Sequence, residues 1–261
     1  MPEGHTIHRL ARDLLDDLGG RPVRTDVRQD RFRDGAARLD GQELAGTDAL
    51  GKHLFLHFDE GDVLYVHLGL IGKWQRRPVP AAEPSPNLRL RLEGEARAWD
   101  LTGPMVCELR DPSVVEEVAA TLGPDPLRRD ARPQRFVDAV LASRRPIGAL
   151  LLDQSVIAGI GNVYRAEILH LAGIHPDRPG RSLTEDEVRT LWRLAVEQLR
   201  LGLKRNRIVT VPLGGRRLSS IRRGEATHVY KQERCRTCGD EVLLHPVGNR
   251  TSYACASCQP A

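Results

Sequence analysis

The sequence predicts an α+β chain: an N-terminal antiparallel β-sandwich with a flanking helix, then a helical domain, then a small C-terminal cysteine hairpin. Three observations carry this. Apolar and polar residues alternate over "NLRLRLEGE", the period of a half-buried strand. The stretch "SLTEDEVRTLWRLAVEQLRLGLK" places apolar residues at helical spacing behind a Thr184–Glu187 capping box. Cys235, Cys238, Cys255 and Cys258 form two close pairs, C-x2-C-x16-C-x2-C.

The chain opens "MPEGHTIHRL". Ile7, Leu10, Ala11, Leu14, Leu15 and Leu18 make an amphipathic stripe, and Gly19 with Gly20 ends it. A helix starting so early buries one face and pins residues 2–5 in a fixed place. From 21 to 111 the period changes. "LGKHLFLHF", "DVLYVHLGLIGKW", "PNLRLRLEGE", "ARAWDLTG" and "MVCELRD" are short runs cut by Gly, Pro or Asp, and "HFDEGDVLYV" reads as a hairpin. Leu88, Leu90 and Leu92 alternate with Arg89, Arg91 and Glu93. "GPDPLRRDARPQ" (123–134) has the composition of a linker.

Residues 135–204 read as helical. Two helices meet at "AGIGN", where Gly159 and Gly161 permit positive φ and Asn162 is a good N-cap. Such a turn aims backbone N–H groups outward, as an anion site does; an ordinary helix hairpin is the plainer reading. Leu191, Leu194, Ala195, Leu199 and Leu201 supply most of the apolar face of the last helix. The expected division is 1–122, a linker at 123–134, 135–224 with a basic loop, and 225–261.

At 261 residues and 40% apolar content the chain can build real cores. The net charge of +4 is modest, but its distribution is uneven: 204–224 holds seven basic residues and no acidic one. Such a run suits a polyanion, since neutralising phosphates releases counterions; a solvated basic loop is the alternative. The first helix is amphipathic and carries acids, unlike a secretory signal. No segment approaches the roughly 20 apolar residues that span a bilayer, so the expected setting is the cytoplasm. The cysteine spacing does not suggest a disulfide framework, and Cys107 reads as a small buried side chain.

The four C-terminal cysteines suit one tetrahedral Zn²⁺, with redox cysteines as the alternative. Four thiolates leave no open position, so this zinc is expected to be structural, and so small a module should fold only with its metal. Asn249 and Arg250 sit at the tip of the intervening hairpin, where a phosphate contact is plausible beside the upstream basic run.

"PEG" after the initiator Met, "LGKHLFLHF", "HLGLIG", "IAGIGNVYRAEIL" and the four-cysteine finger ending "CASCQ" occur in an order that resembles the formamidopyrimidine-DNA glycosylase/endonuclease VIII family, its endonuclease VIII branch in particular. The resemblance spans nearly the whole chain. It implies a helix–two-turn–helix domain, a zinc finger, double-stranded damaged DNA as partner and no small-molecule cofactor; the lack of an apolar span suggests no membrane, and the small net charge monomeric action. It also implies a bifunctional DNA glycosylase/AP lyase in which Pro2, freed by removal of Met1, is the nucleophile. An α-amino group has pKa about 7.7–8.0, so roughly 10% is unprotonated at pH 7, against well under 0.1% for Lys. Its adduct with sugar C1′ is an iminium, an electron sink for β- and then δ-elimination.

Carried over residue by residue, Glu3 shuttles protons beside that amine, Lys52 touches the lesion's phosphate and sugar, and Glu167 is a second active-site glutamate. A buried helix carboxylate pairing with Arg165 or Lys52 is the structural alternative for Glu167. His67, Asn162 and Arg250 clamp flanking phosphates. Leu70, with Ile71 beside it, is the wedge that fills the hole left by a flipped base, unless Leu70 is core. The chain departs from the family pattern at Thr6, preceded by His5, and at Gly69 and Ile71, which leaves lesion and opposite-base preference open. Oxidised pyrimidines are the slightly preferred substrate. Oxidised purines or abasic sites, or damaged-DNA binding without chemistry, are the alternatives.

Overall fold

The computed structural model describes residues 2–247 and 250–260; Met1 and Asn249 lie outside them. The chain divides into two compact units, Met1–Thr121 and Leu122–Ala261.

In the first unit, helix α1 (Gly4–Leu18) buries Ile7, Leu10, Ala11, Leu14 and Leu18, while Leu15 stays 38% exposed at the edge of the stripe. Gly19 closes the helix: its N–H donates to the Leu15 carbonyl at 2.8 Å, and a Cβ there would lie 2.5 Å from that oxygen. Two four-stranded antiparallel sheets follow. One has the order β1 (Arg24–Asp26), β6 (Leu88–Glu93), β7 (Arg97–Thr102), β5 (Lys73–Pro78). The other runs β2 (Leu44–Leu50), β3 (His53–Phe58), β4 (Val63–His67), β8 (Val106–Arg110). Leu54, Leu56, Leu64 and Val66 of one sheet share a single buried core with Leu90, Leu92, Trp99 and Leu101 of the other and with the α1 stripe.

The β-rich stretch also holds a short helix, α2 (Arg33–Leu39), which burial of Ala36 and Leu39 secures despite Gly35. The unit ends with α3 (Ser113–Thr121). The alternation in β6 hides one exception. Arg91 is only 6% exposed and donates from Nε and Nη2 to Asp100 at 2.6 and 3.0 Å, so the buried charge is paired.

The second unit begins with the segment read as a linker, whose first residues, 123–126, are buried. The Gly123 N–H donates to Gln154 O at 2.9 Å, the Ala158 N–H donates to Pro124 O at 3.1 Å, and a Cβ at Gly123 would lie 2.4 Å from the Val156 carbonyl carbon. Helices α4 (Pro133–Leu141), α5 (Ile147–Leu150), α6 (Asn162–Ala172) and α7 (Glu185–Arg205) follow. The helix expected before "AGIGN" is a single turn followed by turns, because Asp153 and Gln154 satisfy backbone groups themselves. Asp153 Oδ1 accepts from Ser155 N, and Gln154 binds Gly159 N and Ile160 O. Gly159 has φ +87°, as its place in the turn requires, whereas Gly161 has an ordinary φ of −120°.

Helix α6 is buried along most of its length, so it reads as core rather than as a surface helix. The Thr184–Glu187 capping box of α7 forms in both directions, at 3.2 and 2.7 Å. Leu201 falls out of phase and is only half-buried; Gly202 takes the buried position. A two-stranded antiparallel hairpin, β9 (Val242–Val247) and β10 (Arg250–Cys255), closes the unit. No helix among the described residues is long and apolar enough to cross a membrane.

Candidate active site

Glu3 occupies the N-cap position of α1. Its carbonyl accepts the first helical bond, from Thr6 N at 2.8 Å, but its side chain makes no cap bond. The Glu3 side chain is fully buried next to Pro2. His5 is 5% exposed, and burial pushes its pKa down to about 4.

Lys52 lies in a two-residue turn between β2 and β3, bounded by the Leu50–His53 pair, with Gly51 at φ +57° in the first central position. Glycine there suits a tight hairpin turn, which holds Lys52 at the hairpin tip. His53 and His67 pair directly across β3 and β4. His67 Nδ1 accepts the Gly69 N–H at 3.2 Å, which fixes the turn that follows. That turn exposes Leu70 by 55% and Ile71 by 82%, so Leu70 is not core. Gly72 allows the turn to close, since a Cβ there would sit 2.3 Å from Leu68 O. Met105, 67% exposed, joins this patch: its N–H donates to His67 O at 2.9 Å, and a Cβ on Gly69 would lie 2.9 Å from its own Cβ. The sequence offered no periodic signal for Met105, which lies in the loop before β8.

His53 is also pushed down to about 4, chiefly by burial and then by His67 and Lys52. His5 and His53 titrate near 6.5 when unfolded and near 4 when folded. The unfolded chain therefore binds more protons in that interval, and stability is full above it and falls as pH drops through it. The loss is up to about 3 kcal/mol per histidine. Thermal melts between pH 7 and pH 4 check this. A His53→Gln protein should show a shallower decline; an identical decline would count against the assignment.

In the second unit, Asn162 is the first helical residue of α6 and Gly161 is the N-cap, contrary to the capping role expected for Asn162. Its Nδ2 donates to Thr251 O at 3.2 Å, and Arg165 Nη2 donates to the same oxygen at 2.7 Å. Helix α6 thereby grips the strand that carries Arg250. Arg250 itself is exposed.

Glu167 is fully buried. Its carboxylate accepts from the backbone N–H groups of His228, Val229 and Tyr230, at 2.7 to 2.9 Å, and from the Thr210 hydroxyl. This geometry ties the basic loop and the entry to the cysteine module onto α6. Glu167→Ala would strand those donors in the interior, and a loss on the order of 3 kcal/mol or more is expected. Urea unfolding measures it.

The four cysteine Sγ atoms lie within 4.8 Å of one another. The pairs Cys235–Cys258 and Cys238–Cys255 are 3.8 and 3.4 Å apart. Four Zn–S bonds of 2.3 Å at tetrahedral angles need sulfurs about 3.8 Å apart, so the cluster fits a single structural zinc ion. The Thr237 N–H points at Cys235 Sγ at 3.4 Å, a donor suited to a thiolate ligand.

Residues 1–104 match the model described as the formamidopyrimidine-DNA glycosylase N-terminal domain, and residues 122–211 match the formamidopyrimidine-DNA glycosylase H2TH domain. The chain is 44% identical over 267 residues to Endonuclease 8 1 of Mycobacterium tuberculosis, covering 99% of this chain and all of that one. It is 32% identical over 280 residues to the formamidopyrimidine-DNA glycosylase of Thermus thermophilus, covering 99% and 97%. Among solved structures it resembles Lactococcus lactis Fpg in complex with DNA containing an abasic site, with a TM-score of 0.84 at 23% identity over 99% of this chain and 100% of that one. Identity at this level along the whole length shows that the chain belongs to the formamidopyrimidine-DNA glycosylase/endonuclease VIII family of bifunctional DNA glycosylase/AP lyases.

Proposed function

We propose that this enzyme removes oxidised bases, pyrimidines slightly preferred, from double-stranded DNA in the cytoplasm and then cuts the strand by β,δ-elimination, with the secondary amine of Pro2 as nucleophile after loss of Met1. The observation that carries this reading is the start of α1, where the packed helix holds Pro2 beside a fully buried Glu3. Identity to an Endonuclease 8 exceeds identity to a formamidopyrimidine-DNA glycosylase, 44% against 32%, which favours the pyrimidine reading.

The steps follow from the groups. The Pro2 nitrogen attacks C1′, Glu3 passes a proton to the opening sugar oxygen, and the base leaves. The resulting iminium acidifies C2′–H, so the 3′ phosphate departs; a second proton loss then expels the 5′ phosphate. Water hydrolyses the remaining iminium and frees Pro2. Lys52 and His67 hold the backbone at the lesion, Arg250 holds a flanking phosphate, and Leu70 fills the vacated stack. Asn162 and Glu167 act by position: one steadies the Arg250 strand, the other anchors the basic loop and the cysteine module.

Borohydride trapping on a duplex with one abasic site tests the nucleophile. Protein with a free Pro2 should form a covalent adduct, and protein with a blocked terminus should not. Binding without trapping by the free form would favour a DNA-binding protein without chemistry. Excision from matched duplexes containing thymine glycol, dihydrouracil or 8-oxoguanine separates the substrate readings.

A further inference from the structure

His53 has no assigned role in the reaction, yet its surroundings are organised. It faces His67 across the β3–β4 pair with ring centroids 4.8 Å apart, and the Tyr65 ring stacks on it at 5.8 Å. The Tyr65 hydroxyl lies 2.7 Å from His53 Nδ1. A phenol is a good donor and a neutral imidazole nitrogen a good acceptor, so the hydroxyl donates and the single imidazole proton sits on Nε2. His67 follows the same rule more strictly. A backbone N–H can only donate, so with Gly69 N on its Nδ1 the neutral ring carries its proton on Nε2.

Both histidines are half-buried rather than sealed in the interior. Burial and the nearby Lys52 charge lower both imidazoles, so both are neutral at pH 7. Two uncharged N–H donors beside one ammonium suit an anion. They add directed hydrogen bonds without repelling Lys52 or each other, as further cations would.

We propose that His53 Nε2–H joins His67 Nε2–H and the Lys52 ammonium in a three-donor cradle for one phosphate of the damaged strand, with Tyr65 as the positioning residue that holds His53 in its donor tautomer. This rests on the placement of Lys52 and His67 at the DNA.

The test uses the full-length, zinc-loaded protein and a duplex carrying a tetrahydrofuran abasic analogue, with Kd measured against salt at pH 7.5. His53→Leu is expected to bind about tenfold more weakly, as befits loss of a hydrogen bond to a charged acceptor. Its salt slope should not change, because a neutral donor releases no counterion. His53→Gln, which keeps an N–H, should recover most of the affinity. Lys52→Ala, by contrast, should lower the slope by about 1. Tyr65→Phe should weaken binding several-fold and, in ¹⁵N NMR, move His53 to a mixture of tautomers. That variant carries the decision if His53→Leu fails to fold.

Affinity of His53→Leu within twofold of the parent overturns the cradle, and so does a reduced salt slope, which would make His53 a cation. Unchanged binding by Lys52→Ala and His67→Ala as well would instead remove this face from the DNA interface altogether.

Discussion

Glu3→Gln is expected to slow base excision about 10² to 10⁴-fold, the range for removing a positioned general acid–base group. The loss on a preformed abasic site should be smaller, because no base needs to leave and the sugar already opens in solution. Gln keeps the volume of the side chain at this fully buried position, so melting should change little and the effect should appear in kcat. Single-turnover excision from a thymine glycol duplex, set beside cleavage of an abasic duplex, measures both. Equal loss on the two substrates would assign Glu3 to the lyase steps. No loss on either would return it to a role in helix entry.

Removal of zinc is the second large effect. The cysteine module shares a core of only a few buried side chains, Val229, Val242, Ala166 and the cysteines Cys235 and Cys255 themselves. Structural zinc in modules of this size supplies about 10–16 kcal/mol of apparent binding energy at pH 7, far more than such a core can replace. Cys235→Ser, or exhaustive chelation, should therefore unfold β9 and β10 and release Arg250 from its place. Duplex binding should fall to the nonspecific level while the first unit, with its separate core, keeps its β-sheet circular dichroism. Metal analysis of protein purified without chelator should give one zinc per chain. Binding that survives complete metal loss would show that the finger is dispensable.

Much of the fold was legible because its signals are local. The α1 stripe, the β3–β4 hairpin, the Thr184–Glu187 box and the four-cysteine spacing each depend on residues close in sequence, and each forms where it was read. What failed was also physical. Composition marked 123–134 as a linker, yet Gly123 permits so close an approach to Val156 that its first residues, 123–126, pack. Apolar spacing suggested a full helix before "AGIGN", but the Asp153 and Gln154 side chains compete for the backbone and leave turns. Asn162 has the chemistry of a cap, and tertiary packing spends its amide on Thr251 instead.

By itself the sequence determined the family, the structural zinc ligands and the order of the elements, because these rest on residue identity at short spacings. Only the tertiary structure decided which distant groups the polar side chains meet. Glu167 reads on paper as an acid near the site, and its carboxylate accepts from amides more than sixty residues away. His53 reads as one more strand residue, and the Tyr65 hydroxyl on the neighbouring strand gives its nitrogen a direction. Burial and the hydrogen bonds of distant backbone set the availability of a proton or a lone pair, and no local pattern encodes them.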